Sequence, residues 1–123
     1  MTLREKAAWA GLIGTQGLYA LWFLEWLPIA APLLLLVHFL LLALVQVLLA
    51  ARHGAEGADE RDRQIAAHAA AIGFFVAIGG LAFAVLMLGF GTSPAKLTLV
   101  LVAGFALADL SRYGTQCLLY RAD

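Results

Sequence analysis

The residues able to do chemistry are few and clustered. Asp59, Glu60, Arg61, Asp62 and Arg63 follow one another, with Gln64 and Ile65 behind them. Carboxylates and guanidinium groups at one rigid helix end offer paired, charge-assisted contacts to a protein partner. The same residues also suit a purely local role. Acids at Asp59, Glu60 and Asp62 favour the start of a helix, where the macrodipole attracts negative charge. Asp59 can cap that helix, with Asp62 three residues on in a box-like position. Arg63 stands at helical spacing from Asp59 and Glu60. The helix start explains the pattern by itself; a docking surface for a cytosolic protein is its functional counterpart. Arg112 and Arg121 add basic groups near the C-terminus.

A second set of ionisable residues lies inside apolar sequence. Asp109 and Arg112 are three apart and share a helix face. Their spacing predicts a local ion pair, with Arg112 reaching toward an interface; the alternative is that they reach Arg61, Asp62 or Arg63. Glu25 and His38 flank a proline-bounded turn and are expected to meet across it as a structural contact, which could also serve as a proton relay. Gln16 and Gln46 are amides able to bond between helices. His68 lies near the inner end of the third apolar stretch and His38 near the outer end of the second. Two histidines at opposite depths cannot ligate one haem iron, and a zinc site lacks ligands. Cys117, the one cysteine, reads as inert packing. No nucleophile–base pair emerges, so neither a catalytic residue, a cofactor nor a metal is expected.

These residues are carried by an unusually apolar chain. Of 123 residues, 63% are hydrophobic and 13% are charged. A soluble domain is nearer 45–50% apolar and 25% charged, and so short a chain cannot hide the excess in a water-soluble core. Lipid is the alternative solvent. Four apolar stretches, about 7–27, 33–51, 65–88 and 97–119, each approach the ~20 residues that cross a bilayer. Helix is the form that satisfies the backbone there. The expectation is an all-α, transmembrane four-helix bundle, one domain over 1–123, with a polar loop at 52–64. The N-terminal apolar run is too long for a signal peptide's and lacks a small-residue cleavage site.

Charge sets the orientation. Arg4 and Lys6, then Arg52, Arg61 and Arg63, then Arg112 and Arg121 all fall on one side; Lys96 falls on the other. The positive-inside rule predicts N-in and C-in, a multi-pass protein of the cytoplasmic (inner) membrane. Trp22 and Trp26 would mark the outer interface, and Trp9, Tyr113 and Tyr120 the inner one. Short turns at Pro28–Pro32 and at 89–96 predict two antiparallel hairpins. Ala7, Gly11 and Thr15, Ala10 and Gly14, and Ala69, Gly73 and Ala77 form small-residue rows that let helices approach closely. A glycine row left over would suit a homodimer.

The order of features resembles a family of small bacterial and archaeal four-helix membrane proteins of unknown function. Its hallmark is an Asp-Glu-Arg-Asp-x-x-Ile segment between the second and third helices, here Asp59-Glu60-Arg61-Asp62 with Ile65. Arg4-Glu5-Lys6 followed by Trp9, and Asp109, Arg112, Tyr120 and Arg121 near the end, resemble its bacterial members. The chain departs from them at Ala66 and Ala67, where members often carry Glu or Lys, and in lacking a Tyr further along helix three. The resemblance implies a protein often encoded beside a small helix-turn-helix regulator. The expected function is therefore a membrane-embedded binding or regulatory protein that docks a cytosolic partner, sequestering such a regulator without touching nucleic acid itself. A small transporter or oligomeric channel for protons or a small solute is the alternative. An enzyme is not expected.

Overall fold

The computed structural model describes residues 3–53 and 60–122, with side-chain surroundings for 3–48 and 60–122. Four helices follow in order: α1 (Leu3–Phe23), α2 (Ala31–His53), α3 (Glu60–Gly89) and α4 (Pro94–Arg121). The described residues contain no strand. α2, α3 and α4 are long and apolar enough to cross a membrane. α1 carries Arg4, Glu5 and Lys6 in its first turn, and its apolar part is correspondingly short.

The helix ends follow local chemistry. Ser93 caps α4, its Oγ accepting from the Lys96 N–H at 3.4 Å, and Pro94 fills the first helical position, where no N–H is needed. α4 thus starts three residues before the expected apolar run. α1 stops at Phe23, earlier than the apolar run, because Glu25 adopts φ 63. The Trp26 N–H then reaches back to the Leu21 carbonyl at 3.0 Å. This is a left-handed helix stop, a conformation that glycine adopts without a Cβ penalty. Trp22 closes the turn by donating its indole N–H to the Ile29 carbonyl at 2.9 Å. Glu25→Gly is therefore expected to raise stability by up to about 1 kcal/mol. Unfolding of the detergent-solubilised protein would check this, and a loss of stability would reveal a role for the carboxylate.

α4 is the hub. Its contacts with α3 run in opposite order along the two helices: Asp62 with Tyr120, Gly73 with Ala108 and Arg112, Gly80 with Gly104. α1 does likewise, with Trp9 by Arg121, Gly11 by Tyr113 and Gln16 by Ala106. α1 packs more extensively on α4 than on α2. The expected bundle of two equivalent hairpins is therefore unevenly built, and α2 is its lightly attached member.

Close approach depends on glycine. A Cβ on Gly11 would stand 2.7 Å from the Tyr113 ring, and one on Gly73 would stand 3.0 Å from Arg112 Cβ. Two of the expected small-residue rows are thus spent within the chain. Tyr113, expected at an interface, is instead buried against Gly11. The apolar core is small: Tyr19, Leu34 and Val102, with Leu18, Trp22, Leu27, Ile29 and Phe105 around them. Large apolar side chains such as Phe74, Phe75, Phe90 and Leu118 point outward. An apolar surface this extensive suits lipid rather than water.

Candidate functional site

Two polar constellations stand out. The first is buried where α1, α2 and α4 meet. His38 Nε2 lies 2.7 Å from Asp109 Oδ2. His38 Nδ1 lies 3.0 Å from the Tyr19 hydroxyl, and the two rings meet edge to face. Tyr19 and His38 are each 2% exposed and Asp109 is 9% exposed. His38 Nε2 and Asp109 Oδ2 do not form an aligned hydrogen bond despite their separation. The contact is a close electrostatic pair. Gln16, from the next turn of α1, donates to the Ala106 carbonyl at 2.9 Å, the interhelical role expected of it.

This arrangement corrects three expectations. His38 pairs with Asp109, not with Glu25, which is exposed in the turn. Asp109 pairs with His38, not with Arg112 or the Arg61–Arg63 segment. Arg112 lays its stem over Gly73 and its guanidinium 5.4 Å from the Tyr113 ring centre. Gln46, expected to bond between helices, is exposed on α2. The relative heights of the helices explain the pairing. Leu34, three residues into α2, packs with Val102, eight residues into α4. The α1–α2 turn therefore sits below the start of α4, which lowers His38 toward Asp109.

The second constellation joins three helix ends. Asp62 accepts from the Tyr120 hydroxyl at 2.8 Å and lies 3.6 Å from Arg4 Nε. Arg61 donates to the Tyr120 carbonyl at 3.1 Å and the Leu119 carbonyl at 3.4 Å, with its guanidinium 5.9 Å from the Tyr120 ring centre. That places a cation at the C-terminus of α4, where the helix dipole favours it. Arg121 lies 5.1 Å from the Trp9 ring centre. Glu60 and Arg63 stand exposed, 3.9 Å apart, and Glu60 also receives Gln64 at 3.5 Å. Asp62 is thus a tertiary tie. Asp59 lies outside the described residues. His68 is exposed on α3, and Cys117 is buried.

Sequence reasoning did not place Tyr19 or Arg4 in either set. For Tyr19 a signal existed: a phenol in an apolar helix needs a hydrogen-bond partner when buried. Arg4 gave none, because its partner lies on another helix end.

The fold and these two sites define an all-α chain with membrane-length helices, a buried ionisable set and a charged platform at one end. No family model, curated protein or solved structure matches the chain.

Proposed function

We propose that the chain is a membrane-embedded binding protein that docks a cytosolic partner on the end where Arg4, Asp62 and Tyr120 meet. Four helices would cross the cytoplasmic membrane as antiparallel neighbours, N-in and C-in, with Lys96 outside. The basic residues Arg4, Arg61, Arg63 and Arg121 share this end, in keeping with the positive-inside rule. The observation that carries the reading is Asp62. Held by Tyr120 and Arg4, it ties α1, α3 and α4 into one rigid platform, on which Glu60 and Arg63 stand exposed. A preorganised surface loses little entropy on binding. A helix-turn-helix regulator held there would be kept from DNA by sequestration.

The platform also tells which residues give a clean test. Arg61 contacts the carbonyls of α4 and helps hold the fold, so its reversal would confound. Glu60→Arg with Arg63→Glu reverses the exposed charges while leaving the ties to Asp62 intact. Co-purification of a cytosolic partner from detergent-solubilised membranes is expected to fall at least tenfold. Undiminished capture would reject this surface. A proton or solute carrier is the second reading, favoured by the buried Tyr19–His38–Asp109 set. Flux in proteoliposomes that Asp109→Ala abolishes would establish it.

A further inference from the structure

The buried set at the meeting of α1, α2 and α4 plays no part in docking, and its proton content is constrained by its surroundings. Tyr19 packs with Leu34, Val102 and Phe105, and Tyr19, His38 and Asp109 all have little exposure. With a neutral imidazole and an ionised carboxyl, the set carries one negative charge with no cation within ion-pair distance, which is costly in an apolar interior. One further proton makes it neutral, whether the proton sits on the imidazole or on the carboxyl. In both neutral forms Nδ1 carries a hydrogen and donates to the Tyr19 oxygen. In the charged form the Tyr19 hydroxyl donates to Nδ1 instead. A second added proton would leave a bare positive charge. The favoured occupancy is therefore a single proton shared by His38 and Asp109.

The position of His38 gives that proton a structural consequence. Among the described residues of α2, Leu34 and His38 alone are buried. Phe39 adds an edge-on contact with Phe105 of α4, ring centres 6.2 Å apart. α2 is thus fastened to the bundle at two successive turns, one of them titratable. A cleft of about 150 Å³ between α1 and α2 reaches His38, and one of about 260 Å³ along α3 and α4 reaches Asp109. Each has room for water. The geometry points to a proton-binding site within the bundle: one proton held between His38 and Asp109 latches α2 onto α1 and α4, and its loss releases α2.

Among the described residues, His38 is the one group within ion-pair distance of Asp109. On α1, Thr15 gives its hydroxyl to the Gly11 carbonyl at 2.7 Å. On α4, Arg112 lines the same cleft as Asp109, its guanidinium 5.4 Å from the Tyr113 ring centre. On α3, the residues lining the Asp109 cleft are Ala70, Gly73, Phe74 and Ala77, none of them titratable.

The test uses the full chain in lipid bilayers. Solid-state NMR of ¹⁵N-histidine reads the His38 ring from about pH 5 to about pH 9, the range in which imidazoles titrate. Spin labels at Leu44→Cys and Leu107→Cys, with Cys117→Ser, read the separation of α2 and α4. The His38 signal is expected to change with pH, and the label distance to widen with the same midpoint. Asp109→Asn and His38→Gln should each make the label distance independent of pH. A wild-type His38 ring unchanged over the whole range would overturn the proposal. So would widening that persists in His38→Gln. If either variant fails to fold, the wild-type titration still decides. None of these readouts depends on a docking partner.

Discussion

His38→Leu is expected to destabilise the bundle by about 3–5 kcal/mol, the usual cost of removing one partner from a buried charged pair. Asp109, 9% exposed in the intact protein, would lose its ion-pair partner. The Tyr19 hydroxyl would lose its hydrogen-bond partner as well. Replacing both members, His38→Leu with Asp109→Leu, should recover most of the loss, since apolar residues of similar volume often match or exceed a buried pair in stability. Reversible unfolding in mixed detergent micelles measures all three variants. A cost below about 1 kcal/mol for the single change would show that water or lipid headgroups already solvate Asp109.

Gly11→Val is the second large effect, expected at about 1–3 kcal/mol or more from overpacking. The added Cβ alone would stand 2.7 and 2.8 Å from two atoms of the Tyr113 ring. That ring cannot swing away freely, being 6% exposed with the Arg112 guanidinium against it. α1 would have to lift from α4, weakening the Gln16–Ala106 bond one turn further on. Gly14→Val is the matched control: a Cβ there meets nothing within 4 Å, so stability should hold or rise slightly. Adding Tyr113→Leu to Gly11→Val should restore much of the loss. Equal effects at Gly11 and Gly14 would contradict the observed α1–α4 contact.

The helices themselves could be read from composition and punctuation. Uncharged runs bounded by Pro28, Pro32, Gly91 and Pro94 led to four helices, three of them long and apolar enough to cross a membrane. Their ends shifted by a few residues, because capping at Ser93 and the left-handed Glu25 are decided by backbone hydrogen bonds that hydropathy does not report. The small-residue rows through Gly11 and Gly73 also pointed to close helix contacts, though not to which helix each would meet.

Polar partners were less legible. Glu60 with Arg63 was readable because both lie on one helix three residues apart, where spacing fixes distance. Asp109 with Arg112 satisfied the same rule and did not pair, since a partner on another helix was closer. For a pair such as His38 and Asp109, spacing along the chain says nothing about distance.

Hydropathy and helical period, properties of consecutive residues, determined that this chain is helical and largely suited to lipid. Tertiary packing alone decided that α4 lies between α1 and α3, that the α1–α2 turn sits low enough to bring His38 to Asp109, and that Asp62 binds Tyr120 and Arg4. The physical reason is that each outcome depends on the relative height and rotation of whole helices. Those are set by where glycines let backbones approach and where a turn stops, summed over many contacts distant in sequence.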